Sequence, residues 1–298
     1  MTKKEKLVSI ILNCYNGEKY LSAALNSVKN QTYKNWELIF WDNKSKDRSK
    51  KIFYSYSDTR FKYFQSKKHS SLYAARNLAV QKAKGKFLAF IDSDDLWEKN
   101  KLEKQIKHFQ DKSVGVVYGN LWVKQENLNK VKKHINYKIP EGYIHENLIN
   151  NYYVGIISSV IRRKILVNTK KIFNDKYNII GDYDLFLRLA KICKFKAIQE
   201  PVATYRIHQK NLSKLDRKLE GFELEDWLKN NKKNLKKNQY EKIKIKVEKL
   251  KFIGLKFDDS FLNTLLFFFS SIRLISSFKN LAILFLPKYI LRKFMWFV

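Results

Sequence analysis

Lys86-Phe87-Leu88-Ala89-Phe90-Ile91-Asp92-Ser93-Asp94-Asp95 is an apolar run that ends abruptly in three carboxylates within four positions. Five consecutive apolar residues, Phe87 to Ile91, predict a strand buried on both faces, which places the acids where that strand leaves its sheet. Open α/β sheets bind ligands at such strand ends. Clustered carboxylates repel one another, and a divalent cation with oxygen ligands would hold them together. An Asp-rich turn capping the following helix explains the same residues. D-x-D alone does not decide between the two.

Moving outward, Leu7 to Leu12 reads as a buried strand, followed by a turn at Asn16-Gly17 and a helix burying Leu21, Ala24, Leu25 and Val28 at i, i+3, i+4, i+7 spacing. Strands are predicted over 36–41, 61–65, 87–91 and 114–118, with helices near 47–57 and over 73–83 and 97–109. Alternation of this kind predicts a mostly parallel sheet with helices on both faces. The middle of the chain is less regular. It carries a predicted strand over 154–161, a helix over 182–193 and a short strand over 203–207 after Pro201. From about Ser213 the composition shifts toward Lys, Leu and Phe, which predicts a helical C-terminal region over 213–298 after a first domain over 1–212.

The 298 residues, 45% of them hydrophobic, suffice for a substantial core. The formal charge of +32 suggests an anionic partner, but only ten of the 60 basic residues are Arg, the residue that grips phosphate bidentately. No nucleic-acid recognition motif accompanies the charge, so attraction to acidic lipid headgroups is expected rather than a specific nucleic-acid partner. Cys14 and Cys193 offer neither a metal spacing nor a disulfide framework, in keeping with a reducing compartment. The N-terminal apolar stretch is too short for a secretory signal, and a cytoplasmic location is expected.

The segment Val8 to Leu21, with Asn30-Gln31-Thr32-Tyr33, resembles the opening of the family 2 glycosyltransferases. The resemblance continues through Trp41-Asp42-Asn43-Lys44-Ser45-Lys46-Asp47, Ala74-Ala75-Arg76-Asn77, Ala83-Lys84-Gly85, Asp92-Ser93-Asp94-Asp95, Gly181-Asp182-Tyr183-Asp184 and Tyr205-Arg206-Ile207-His208. It covers roughly residues 7 to 212. It implies a GT-A fold, Rossmann-like, and inverting transfer of a single sugar, of hexosyltransferase type, from a nucleotide-diphosphate donor to an acceptor hydroxyl. A divalent metal, Mn²⁺ or Mg²⁺, would stabilise the departing diphosphate.

Within this resemblance, Asp94 is expected to ligate the metal, Asp92 to lie nearer the ribose or metal, and Asp95 to support them. Tyr15 offers a ring for stacking on the base, and Asp42 an acceptor for the imide N–H of uracil or thymine, which favours a UDP- or dTDP-sugar. Tyr15 could equally be an ordinary loop aromatic, and Asp42 could simply cap its turn. Arg76 would hold a phosphate or the metal-binding carboxylates. Asp182, at the start of a helix, matches the family's general base, with Asp184 as competitor. Gly181 stands where the family usually has Glu, and Asn13 where it often has Pro. His208 resembles a histidine that approaches the metal or diphosphate. His69, His108, His134 and His145 show no ligand spacing.

Family relatives that build bacterial surface glycans suggest a lipid-linked or surface-glycan saccharide as acceptor. The uncharged run Ser260 to Ile272 is too short to span a bilayer, but basic and bulky apolar residues alternate around it. Helices there would lie on the inner face of the plasma membrane, or pack on the catalytic domain or a second copy. The chain lacks Q-x-x-R-W and a set of transmembrane spans, which points to single additions rather than polymerisation. A non-catalytic scaffold would be expected to have lost the acids, and Asp92, Asp94 and Asp182 are present.

Overall fold

The structure, a computed structural model, describes residues 6–166, 171–209, 211 and 217–258. The chain divides into two compact units, residues 1–208 and 209–298. The first unit opens with β1 (Val8–Cys14), every residue of which is buried. Its four branched or long aliphatic side chains stabilise the unit by roughly 2 kcal/mol each on burial. Helix α1 (Leu21–Lys29) buries the four apolar residues that its spacing predicts. Strands β2 (Trp36–Asp42) and β3 (Phe61–Gln65), with α2 (Ser49–Tyr54) between them, continue the alternation. Helix α3 (Leu72–Gln81) starts at Ser71, whose hydroxyl accepts from the Ala74 N–H. Strand β4 (Phe87–Asp92) is buried from Phe87 to Ile91 and only partly buried at Asp92.

Strands β3, β2, β1 and β4 are neighbours in that order and all parallel. The carboxyl ends of β1, β2 and β4 are level, with Cys14 beside Asp42 and Asn13 beside Asp92. Chain order reverses between β1 and β4, so the crevice beyond these ends is a topological switch point.

Beyond β4 the sheet becomes mixed. It continues through β8 (Val160–Arg162), β6 (Val114–Gln125), β9 (Lys194–Ile207) and the two-residue β5 (Leu96–Trp97), while β7 (Lys130–Lys133) pairs with β6. β8 runs antiparallel to both β4 and β6, and is shorter than the strand expected over 154–161, because residues 156–158 form a 3₁₀ turn. The helix expected from Trp97 starts only at Lys101 in α4 (Lys101–Ile106) and then tightens into a 3₁₀ turn, Lys107–Gln110. Trp97 itself pairs with Ala203.

Strand β9 runs straight through Pro201, where a break in register between Gly119 and Leu121 of β6 accommodates the residue that has no N–H to donate. At Gly119 a Cβ would stand 2.7 Å from Val202, so only glycine allows β6 to lie this close. Helices α5 (His145–Asn150) and α6 (Gly181–Ala190) complete the unit.

The described part of the second unit contains α7 (Arg217–Asn231) and α8 (Lys237–Asp258). Leu224, Trp227 and Leu228 of α7 and Ile243, Val247 and Leu250 of α8 are buried. Lys251 and Glu225 form an ion pair at 2.8 Å. Among the described residues no helix is long and apolar enough to cross a membrane. The membrane-interface helices expected over 261–298 lie outside the described residues.

Candidate active site

Three carboxylates leave β4 into a tight turn, in which the Asp95 N–H donates to the Asp92 carbonyl at 3.1 Å. Each then meets a different partner. The Asp92 carboxylate accepts from the Arg76 guanidinium, which α3 carries into the sheet at 2% exposure. Of the two partners expected for Arg76, the structure shows the carboxylate. Asp94 Oδ2 lies 2.9 Å from His208 Nε2, just past the end of β9. Asp95 is enclosed, and its Oδ1 accepts from the Arg206 N–H at 2.8 Å. Burial first, and then the charges of Asp94 and Asp92, push Asp95 well above the usual carboxylate range. Asp95 therefore anchors Arg206, whose guanidinium donates to the Asp94 carbonyl.

Tyr20, the residue before α1, reinforces this corner. Its ring stacks on His208 with centroids 4.8 Å apart, and the Arg206 guanidinium lies 4.7 Å from the same ring. The Tyr20 hydroxyl donates to Glu126, which follows β6. Nothing in their local sequence marks Tyr20 or Glu126 as site residues. The period-two pattern of the β9 end does place Arg206 and His208 on one face, but Glu126 is 106 residues from Tyr20 and no local signal joins them.

Asp182 sits in the first turn of α6, where the helix N-terminus favours a carboxylate. Its Oδ1 accepts from the Tyr183 N–H at 2.8 Å and the Tyr73 hydroxyl at 3.3 Å. Burial raises its pKa, while the Arg76 charge and these hydrogen bonds oppose the rise. The same Arg76 thus faces Asp92 and Asp182, which brings the strand-end acids and the helix acid into one constellation. Tyr73 reaches Asp182 because residue 181 is glycine. A Cβ there would stand 2.5 Å from the Tyr73 ring, so the Glu of the family pattern would displace it. Asp184 is buried and turned along its own helix to Arg188, 2.9 Å away.

Tyr15 is half-exposed at 49%, and its ring centroid lies 4.1 Å from that of His69. The His69 Nδ1 is 3.1 Å from the Asn43 carbonyl. The His69 ring therefore shares an aromatic shelf with Tyr15 beyond β1 and β2, a role its sequence spacing did not signal. Asp42 is fully buried, with Oδ1 accepting from the Ser45 N–H at 2.7 Å and Oδ2 from the Tyr63 hydroxyl at 2.6 Å. Its Oδ1 holds the turn that carries the left-handed Lys44, and its Oδ2 ties the strand end to β3. Asn43, next along, is tied by its own side chain to Ser70.

The donor chemistry suits a hard divalent cation only in part. Asp94 and His208 present a carboxylate oxygen and an imidazole nitrogen at one point, whereas Asp92 is engaged by Arg76 and Asp95 is enclosed. Among the described residues no group of three His, Cys, Asp or Glu forms a cage. Such a pair fits a cation that takes its remaining ligands from water and substrate phosphate, as Mg²⁺ commonly does.

The model of the family described as "Glycosyl transferase family 2" matches residues 9–177. The chain belongs to this family. A glycosyl transferase family 2 chain of this kind is a glycosyltransferase. One relative, the UDP-Glc:alpha-D-GlcNAc-diphosphoundecaprenol beta-1,3-glucosyltransferase WfgD of Escherichia coli, is 34% identical over 70% of this chain and 79% of its own length. Among solved structures, S. aureus TarS in complex with UDP-GlcNAc is similar at a TM-score of 0.60 and 18% identity, over 85% of this chain and 76% of that one. The mannosyltransferase PcManGT of Pyrobaculum calidifontis, in complex with GDP-Man and Mn²⁺, is similar at 0.62 and 14% identity, over 92% and 82%. At these identities the two structures establish the shared GT-A fold.

Proposed function

We propose that this glycosyltransferase transfers one sugar, with inversion, from a uridine or thymidine diphosphate sugar to a hydroxyl of a lipid-linked saccharide in bacterial surface-glycan synthesis. Asp92 and Asp182 facing Arg76, with Asp94 paired to His208 beyond the same strand end, carry the reading. WfgD, which acts on a diphosphoundecaprenol acceptor by name, supports the acceptor class, and TarS with its UDP-GlcNAc supports the donor class. Residues 1–212 would perform the transfer, and residues 213–298 would keep the enzyme at the inner face of the plasma membrane.

Asp94 and His208 would hold a Mn²⁺ or Mg²⁺ ion, which supplies positive charge against the departing diphosphate. Arg76 holds the Asp92 carboxylate at the strand end through their ion pair. Tyr15 and His69 would stack on the base, with Asp42 shaping the loop that carries the adjacent Asn43. Asp182 would accept the proton of the acceptor hydroxyl at its carboxylate oxygen. Its burial raises its basicity above that of a free carboxylate, which matches a proton acceptor better than a fully solvated acid would.

The test is Asp182→Asn, assayed for transfer from UDP-glucose and dTDP-glucose to a synthetic lipid-diphosphate saccharide, beside UDP binding by calorimetry. Transfer should fall by at least about 10³-fold, of the order expected for loss of a general base. UDP affinity should change little. Near-normal turnover removes Asp182 from the role.

A further inference from the structure

The hairpin of β6 and β7 forms part of the sheet beside the active site, with Trp122 and Val131 exposed and Lys124 and Lys133 half-buried on one face. Cross-strand pairing sets Trp122 opposite Lys133 and Lys124 opposite Val131, and in an antiparallel pair opposed residues share a face. Trp122 is 37% exposed and Val131 55%, while Leu128 at the turn is 47% exposed. Residues 121–138 contain five lysines and one acid, Glu126, whose carboxylate is taken up by the Tyr20 hydroxyl and lies 3.6 Å from Lys19. Lysines on an edge strand protect it from pairing with another chain. That role leaves two residues unexplained: Val131, an exposed apolar residue on the edge strand β7, and Trp122 on β6, which is paired on both sides and has no edge to protect.

We propose that this hairpin face, Trp122 and Val131 interleaved with Lys124 and Lys133, docks on an anionic lipid surface. An amphipathic tryptophan seats at headgroup depth, a valine adds apolar contact, and each lysine near an anionic surface contributes about 1 kcal/mol. The face runs into the site. Lys124 is the register partner of Arg206 across β6 and β9, and Arg206 holds the Asp94 carbonyl. Docking there brings the crevice beyond β4 to the headgroup layer. The benefit to a lipid-linked acceptor rests on the function proposed above, whereas lipid contact does not depend on it.

The full chain is mixed with vesicles of phosphatidylcholine alone, or with phosphatidylglycerol, carrying brominated acyl chains that quench tryptophan on contact. Quenching should require phosphatidylglycerol, and part of it should vanish in Trp122→Phe, with an unchanged circular dichroism spectrum as the folding control. Lys124→Gln with Lys133→Gln should raise the lipid needed for half-maximal quenching by about 25-fold, some five-fold per lysine. Equal quenching of wild type and Trp122→Phe, no vesicle binding at low salt, or equal binding to neutral vesicles overturns the proposal. So does a lysine-dependent affinity for an acidic polysaccharide or DNA without one for vesicles. No arm measures sugar transfer, so failure here is distinct from failure of the proposed activity.

Discussion

Replacing Arg76 by Met keeps much of its aliphatic bulk and removes the charge that faces both Asp92 and Asp182. The Arg76 side chain is 3% exposed, while the Asp92 side chain remains 30% exposed and able to recover some hydration. Breaking a buried pair typically costs 3–5 kcal/mol, so about 3 kcal/mol is expected here. For a unit of this size that corresponds to a fall in Tm of roughly 6–12 °C.

The cost should also depend on pH. Asp182 already titrates above the ordinary carboxylate range because it is buried, and Arg76 opposes that rise. Without Arg76 its pKa rises further, so the folded chain retains a proton that the unfolded chain gives up near pH 4. Stability then falls as pH increases above the unfolded carboxylate value, and the deficit of the variant should be larger near neutrality than near pH 4. Thermal unfolding of wild type and variant across that range measures it. An equal deficit at both ends would show that Arg76 acts through packing, and a deficit below about 1 kcal/mol would refute the charge argument altogether.

Tyr73→Phe removes a hydrogen bond that lowers the Asp182 pKa, so the acid limb of the transfer rate should move to higher pH; an unmoved limb would exclude this coupling. Tyr20→Leu deletes the ring stacked on His208 and should raise the Mn²⁺ needed for half-maximal thermal stabilisation by about ten-fold, whereas Tyr20→Phe, which keeps the ring, should restore most of the loss. Lys101 is fully buried against the Trp97 ring and Gln105, and burial holds its pKa well below the usual lysine range. The unfolded chain therefore binds the extra proton, stability should rise with pH between about 8 and 10, and Lys101→Met should flatten that rise in denaturant melts.

The parallel half of the sheet was legible from residues 7 to 92 because its strands are dominated by apolar residues and closed by polar turns, with Phe87 to Asp92 the clearest case. The mixed half was legible only in part, although strands were expected over 114–118, 154–161 and 203–207. Val160–Arg162 is three residues long, and Lys194–Ile207 runs through Pro201, whose local signal is to end a strand. Its pairing with β6 depends on Gly119 and a register break that only the partner strand reveals.

Sequence by itself determined where the acids stand, since the end of a buried strand is a property of consecutive residues. It also singled out Arg76, Asp182 and His208, through the order of short motifs along the chain. Only the tertiary structure decided what each one touches. Arg76 meets Asp92 across 16 residues, Tyr73 meets Asp182 across 109, and His208 meets Asp94 across 114. Asp42, whose residue type fits a base-reading acceptor, is buried and accepts from Ser45 with one oxygen and from Tyr63 with the other. A side chain's chemistry is local, but its partner and its degree of burial are set by which strands become neighbours. That is why the strand-end carboxylates, which looked alike in sequence, separate into an ion pair, a histidine partner and an enclosed anchor.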